Sequence, residues 1–377
     1  MIGLNITFRF DAYFPGFGYL QGMLKIIFAV VLLAAQTSVF AQELAQKLDS
    51  YLLQTASKKN KFNGTALVAQ NGKIILARAY GYSDKIRQKF NDTATIFQIG
   101  SITKTFTAAI ILRMKDEGRL SLTDKLTKYI PDYPEGNEIT IENLLTHTSG
   151  IPDYLASKDY AKENFIEPIE MDTLISFFKT QKRLFGSGEK FSYTNSGYIL
   201  LASIIEKITG RKYEQIVREL IFDPLQMKHS GFDFRNYPDS NKAINYDNIN
   251  KRKLFSQAVF DSTHAPGCGN IYSTVMDLYL WDRALYSDVL LNPATLQKAY
   301  TPFKSKYGYG WFIDSSYSRL NVFHGGGTPG FRSHFQRFVQ DDICIILLSN
   351  NAYCDLSEIS NRLAAILFNK RYEELQY

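Results

Sequence analysis

Apolar positions recur along this chain in three successive rhythms. Over residues 43–57 the leucines Leu44, Leu48, Leu52 and Leu53 fall at helical spacing, which predicts an amphipathic helix. Strand patterns follow over 64–70 and 73–82, joined at Asn71-Gly72, a dipeptide suited to a tight hairpin turn. Helical spacing then returns with Phe106, Ala109, Ile110, Ile111 and Met114, and stops at Gly118. From about 125 to 300 the pattern is mainly helical with long polar connections, and 173–184 and 197–208 are two of its predicted helices. Strand patterns resume at 308–313, 320–324, 333–339 and 343–349, before a last predicted helix over about 356–370. Strands at both ends of a helical middle predict an α+β fold. Its antiparallel sheet would be completed by both termini and flanked by helices, with an inserted mainly helical region. The sheet region is assigned to about 43–124 and 301–377, and the helical region to about 125–300.

The N-terminus breaks these rhythms. Met23-Leu24-Lys25 is followed by ten apolar residues, 26–35, and by Val39-Phe40-Ala41. A positive residue, a short apolar run and a small-residue exit predict a signal peptide over 23–41. The run is shorter than the roughly 20 apolar residues that a membrane helix needs. Residues 1–22 then form an upstream extension. The mature part, 42–377, is expected in the periplasm or outside the cell, without a stable membrane span after processing. It would be membrane-anchored only if left uncleaved.

Composition narrows the partners. Of 377 residues 45% are hydrophobic and 21% charged, which excludes a disordered or fibrous chain. The net charge of +6 comes from 43 basic and 37 acidic residues, interspersed without a basic stripe, so no nucleic-acid partner is expected. Cys268, Cys344 and Cys354 match neither a disulfide framework nor a zinc site, and the five histidines form no metal-ligand pair. No metal or cofactor is expected.

Candidate chemistry begins at Ser101-Ile102-Thr103-Lys104, where a lysine one helical turn on can lie beside a serine hydroxyl. Ser176 with Lys179 and Ser187 with Lys190 have the same spacing. Ser101 alone follows a glycine and precedes an apolar helix. At that helix N-terminus free N–H groups would favour negative charge, and burial would favour a neutral Lys104 amine as proton acceptor. Ser176 lies inside an amphipathic segment and Ser187 in a Gly-rich loop. By itself the tetrapeptide also fits an ordinary helix N-cap. Two further groups add to it. Tyr193-Thr194-Asn195 precedes the 197–208 helix: the tyrosine can share a proton with Lys104, and Asn195 can donate to a substrate carbonyl. His324-Gly325-Gly326-Gly327 can bring backbone N–H groups up to an oxyanion. A buried tyrosine with a capping asparagine, and a plain Gly-rich hairpin, are the structural alternatives.

The chain resembles the serine beta-lactamase-related proteins: class C beta-lactamases, D,D-carboxypeptidases and low-molecular-weight penicillin-binding proteins, D-aminopeptidases and esterases. The likeness spans nearly the whole mature chain. It rests on the order and spacing of residues 97–104 (FQIGSITK), 141–152 (IENLLTHTSGIP), 191–198 (FSYTNSGY), 221–227 (IFDPLQM) and 307–311 (YGYGW). It implies a beta-lactamase/transpeptidase-like fold and catalysis through an acyl-enzyme, with Ser101 as nucleophile, Lys104 as its proton partner and Tyr193 as general base or acid. Asn195 would orient the substrate, His324, Gly325 and Gly326 would form the third motif, and the N–H groups of Ser101 and Gly327 would form the oxyanion hole. His147, Ser149 and the Cys268 thiol would be structural. Gly325 departs from the threonine or serine usual in beta-lactamases and carboxypeptidases. It removes a donor to the substrate carboxylate, worth about 1–3 kcal/mol, and Thr328 and Arg332 are candidates to replace it. The expected substrate is a small molecule or peptide carrying an ester or amide (a D-amino-acid peptide, a small ester or a beta-lactam), with peptidoglycan-derived fragments among the candidates. The alternative from another class is a non-catalytic penicillin- or peptidoglycan-binding module of the same fold.

Overall fold

The structure is a computed structural model, described over residues 41–57, 62–238, 240–246 and 259–372. The expected upstream extension and all but the last residue of the expected signal peptide lie outside these residues. Among the described residues no helix is long and apolar enough to cross a membrane. The chain divides into two compact units, 1–46 and 47–377, and only the helical residues 41–46 of the first are described. Every described strand belongs to the second unit.

Helix α1 runs over 41–56, with Leu48 and Leu52 buried and Leu53 exposed. Strands β1 (Gly64–Gln70) and β2 (Lys73–Tyr80) form the hairpin at Asn71-Gly72, where both residues have positive φ. Two short pieces, β3 (Tyr82–Asp84) and β4 (Lys89–Phe90), and the two-residue β5 (Phe97–Gln98) lead to helix α2 (Thr103–Asp116). The inserted region carries α3 (Ile141–Leu145), α4 (Met171–Lys179), α5 (Asn195–Thr209), α6 (Tyr213–Val217), β6 (Tyr272–Ser273), α7 (Val275–Ala284) and α8 (Pro293–Ala299). The chain then returns to the sheet with β7 (Phe312–Ser316), β8 (Arg319–Thr328), β9 (Phe331–Phe338) and β10 (Ile343–Ser349), and ends in α9 (Leu356–Leu367).

The main sheet has the order β2-β1-β10-β9-β8-β7. Every neighbouring pair is antiparallel, and N-terminal β1 lies against C-terminal β10 with Gly64 opposite Ser349 and Gln70 opposite Ile343. The α+β architecture with an antiparallel sheet and helices is therefore present. Every residue of β10 is buried. Helix α7 packs on β1 and β10 while α9 packs on β9 and β10. Coverage by helices lets a strand be apolar throughout instead of alternating. Helix α2 is buried over nearly its whole length, as a helix apolar on all sides must be. Its Phe106 ring stacks on Trp281 of α7 at 4.4 Å and meets Phe222 edge-on at 5.9 Å.

Among the boundaries that differ from the sequence pattern, three differ most. Residues 308–311 form a turn instead of a strand. Gly310 has φ +81°, and a β carbon there would fall 2.7 Å from Ala108 Cβ, so this turn packs on α2 and β7 begins only at Phe312. Strand β8 does not stop at His324 but runs through the three glycines to Thr328, held by β9. Beyond Phe323 it has no partner from β7, so its glycine-rich half forms a local edge. The amphipathic pattern over 173–184 yields a shorter helix ending at Lys179, after which Arg183 turns to Glu135 and Glu138.

Candidate active site

Ser101 does not cap α2. It lies in the 3-10 turn Gly100–Ile102 that leads into the helix, whose N-cap is Ile102. Gly100 has φ +51°, and a β carbon there would come within 2.7 Å of Gly327 N. Backbone-to-backbone packing of these two glycines brings the Ser101 turn against β8. One helical turn on, Lys104 is fully buried. Its Nζ donates to Ser101 Oγ at 3.0 Å, to Asn195 Oδ1 at 2.8 Å and to the Cys268 carbonyl at 2.8 Å. The Asn195 and Cys268 carbonyl oxygens can only accept, so they engage two N–H groups of the amine, and the remaining position on Nζ faces the Ser101 hydroxyl. The Cys268 carbonyl is placed by its loop, where Gly267 O accepts from Thr107 of α2 at 2.7 Å. The Cys268 thiol takes no part: burial raises its pKa to about 11.

Tyr193 presents its ring to the same amine, with Lys104 Nζ 4.9 Å from the ring centroid. His147 packs against the same Tyr193 ring, with centroids 4.3 Å apart. His147 is buried, and its Nδ1 accepts from the Thr194 N–H at 3.2 Å, which leaves the proton on Nε2. Burial pushes its pKa well below 6.5, so the ring is a neutral wedge under the Tyr-Thr-Asn turn. Asn195 stands at the start of α5. Its side chain is committed on both ends, accepting from Lys104 and donating from Nδ2 to Asp153 Oδ2 at 2.9 Å, and its backbone N–H donates to the same oxygen at 2.7 Å. It does not line the cleft. The structure thus places Asn195 behind Lys104, where the sequence reading expected a substrate donor.

The third group supplies the cleft wall. His324 is buried on β8, with Nδ1 2.6 Å from Gly325 O and Nε2 3.2 Å from the Tyr307 hydroxyl. A carbonyl only accepts, so Nδ1 carries the proton and Nε2 accepts from Tyr307. Burial first, then the nearby Lys104, depress its pKa to about 3. The ring is neutral at pH 7 with both nitrogens engaged, and offers no cation to a substrate carboxylate. Gly326 is fixed by space, because a β carbon there would sit 2.0 Å from Ile99 O. At Gly325 the nearest atoms would lie at 3.8 Å, so this position is open. Ser101, Tyr193, His324 and Gly325–Gly327 all line one cleft of about 770 Å³. Its charged lining residues are Lys306 and Asp314, paired at 2.8 Å, and Arg332, which donates to the Phe331 and Thr328 carbonyls at 2.8 and 3.3 Å. Thr328 is not in the lining, and its hydroxyl donates to Gln98.

The competing serines are elsewhere. Ser176 turns its hydroxyl back to Thr173 O on the surface of α4, and Ser187 accepts from Arg183; neither lines the cleft. Asp153 and His334 belong to the site or its support without a sequence signal, and Tyr307, which opens the YGYGW motif, carries no expected role of its own. Asp153 follows Pro152 at the end of a motif, but an acid beside a proline in a loop signals nothing by itself.

A model of the beta-lactamase family matches residues 44–368. The chain belongs to the beta-lactamase family. Among relatives, the putative penicillin-binding protein PbpX of Bacillus subtilis (strain 168) is 31% identical over 327 residues, covering 85% of this chain and 78% of that one. A teichoic acid D-alanine hydrolase of Staphylococcus aureus (strain MRSA252) is 28% identical over 314 residues, covering 81% and 73%. Among solved structures, the octameric penicillin-binding protein homologue from Pyrococcus abyssi has a TM-score of 0.79 at 27% identity, covering 87% and 78%. These likenesses support a serine hydrolase of this fold.

Two tests bear on the site of this beta-lactamase-family chain. Asp153→Ala removes the anchor of Asn195 and lets the Lys104 amine shift. The kcat should fall on the order of 10²-fold with KM nearly unchanged, and unaltered kcat would remove Asp153 from the relay. The buried neutral histidines also set a pH dependence. His147, His324 and His334 all have folded pKa values below 6.5, so the unfolded chain binds protons that the native state excludes. Their contribution is complete above pH 6.5 and is lost as pH falls toward the folded values. Replacing His324 by Gln should reduce the slope of unfolding free energy by about 1 kcal/mol per pH unit between pH 5 and 6. Parallel wild-type and variant slopes in urea titrations would contradict a neutral buried His324.

Proposed function

We propose that this chain is an exported serine hydrolase that forms an acyl-enzyme on Ser101 from small uncharged esters or D-amino-acid amides, and that it turns over beta-lactams more slowly. The observation that carries the reading is the Lys104 amine 3.0 Å from Ser101 Oγ at a cleft. In this reading Ser101 Oγ attacks the substrate carbonyl while its proton passes to the Lys104–Tyr193 pair. The backbone N–H groups of Ser101 and Gly327 meet the developing oxyanion, and the same pair returns the proton to the leaving alcohol or amine. Water then releases the acyl group by the reverse sequence.

The preference for substrates without a carboxylate rests on the third motif. Gly325 has no hydroxyl, His324 is neutral with both nitrogens engaged, and Arg332 is turned back on its own hairpin. A carboxylate entering there meets none of the usual pair of donors, whereas an ester needs neither. The printed name of the teichoic acid D-alanine hydrolase is consistent with D-alanyl chemistry. Export is supported by the 26–35 apolar run and the small residue at Ala41.

Ser101→Ala should lower kcat by on the order of 10³-fold or more, while Ser176→Ala and Ser187→Ala retain near wild-type rates. Among a p-nitrophenyl ester, a D-alanine amide and a cephalosporin, the cephalosporin should have the lowest kcat/KM; a higher value for it than for both others would refute the substrate preference. Mass spectrometry of protein recovered from the producing cells should give an N-terminus at about Gln42, and an intact Met23 terminus would refute export with cleavage.

A further inference from the structure

No motif announces His334, yet it forms part of the cleft wall. It lies on β9 directly opposite Gly325 and is only 4% exposed. Its ring is packed against Phe323 at 5.7 Å and 32°. Phe323 in turn stacks on Phe312 at 5.6 Å, and Phe312 on Tyr193 at 6.2 Å. A row of rings therefore runs along the cleft from Tyr193, beside Ser101, to His334. The two nitrogens of His334 face different surroundings. Nε2 is buried without a hydrogen-bond partner among the described residues. Nδ1 faces Gly325, where a β carbon would sit 3.8 Å from it. The side chain that a family-typical Thr or Ser would carry at 325 is thus what would cover Nδ1, and glycine uncovers it.

Burial lowers the pKa of His334 to about 4, so the ring is uncharged at neutral pH. A neutral imidazole has one proton for two nitrogens. A buried N–H without a partner is rarer than a buried lone pair without one. That preference puts the proton on Nδ1, as a donor toward the cleft.

We propose that His334 is a specificity-determining residue: through the gap at Gly325 its Nδ1–H binds an uncharged carbonyl oxygen of the substrate, remote from the scissile bond, while the Phe312–Phe323 row receives an adjoining aryl or alkyl group. The proposal deepens the reading of the cleft as a site for esters and amides without a carboxylate, and rests on it. The fitting substrate is an N-acylated or otherwise carbonyl-bearing amino-acid derivative with an apolar side chain.

Binding separates this proposal from catalysis. In the full-length chain carrying Ser101→Ala, calorimetry would compare N-acetyl-D-phenylalaninamide with 3-phenylpropanamide, which keeps the phenyl group but lacks the second carbonyl. His334→Phe keeps the ring and removes the donor. It should weaken the first ligand about 5- to 10-fold, the worth of one neutral hydrogen bond, and leave the second within 2-fold. His334→Asn places an amide N–H near the Nδ1 position and should restore most of the loss, which a merely structural role would not allow. Gly325→Ala, whose β carbon makes only ordinary contacts, covers Nδ1 from the other side and should reproduce the His334→Phe loss without touching β9. Equal weakening of both ligands, no weakening of either, or a Gly325→Ala variant that binds both like the parent would overturn the proposal. Failure of the hydrolase reading appears separately, as absence of ester and amide turnover by the unmodified chain.

Discussion

A buried amine that meets three oxygens from three parts of the chain is the contact on which the site depends. Lys104 reaches Ser101 in its own helical turn, Asn195 at the start of α5 and the Cys268 carbonyl in the loop before β6. Leaving one such buried partner unmet costs about 1–3 kcal/mol, and more where charge is involved. The contact therefore registers α2, α5 and the 266–269 loop against one another, and each is braced from behind. Asp153 takes both the backbone and side-chain N–H of Asn195, Thr107 ties Gly267, and His147 backs Tyr193. The same contact that aligns these elements puts the serine hydroxyl beside its proton partner, so packing and chemistry have one origin.

The second constraint is close approach of backbones. Gly100 against Gly327 and Gly326 against Ile99 O bring β8 to the Ser101 turn at distances that no side chain permits. Because β7 pairs only with the first half of β8, the glycine half is left beside the cleft. Charge is then arranged sparingly. Burial holds His324 near 3 and His334 near 4, so neither imidazole adds charge to the cleft wall at pH 7. Aromatic rings supply its apolar surface.

Much of this was legible locally. The hairpin at Asn71-Gly72 and the apolar run 343–349 were read to the residue, because turn chemistry and continuous burial both leave marks in short windows. The 308–313 segment carries a strand pattern since Tyr and Trp suit strands, while Gly310 packs on α2 and Gly308 on the end of α8, contacts that only the folded chain displays. The strand pattern of β8 ends early for the opposite reason: glycines resemble breakers, yet β9 supplies their ladder partners. Three Ser-x-x-Lys matches could be separated by the apolar helix after Ser101. The alternative N-cap role for Ser101 does not hold, because a 3-10 turn precedes that helix. Asp153 and His334 left no local signal, since one acts through a contact 42 residues away and the other through cross-strand register.

The central claim is that Ser101, activated by the Lys104 contact, is the nucleophile of this cleft. Its most direct test is to expose the unmodified protein to an aryl fluorophosphonate at neutral pH and map the modified peptide by mass spectrometry. The predicted result is one phosphonyl group per chain, on Ser101, and no labelling when Lys104 is replaced by Met. An unlabelled Ser101, or label on Ser176 or Ser187 instead, would contradict it.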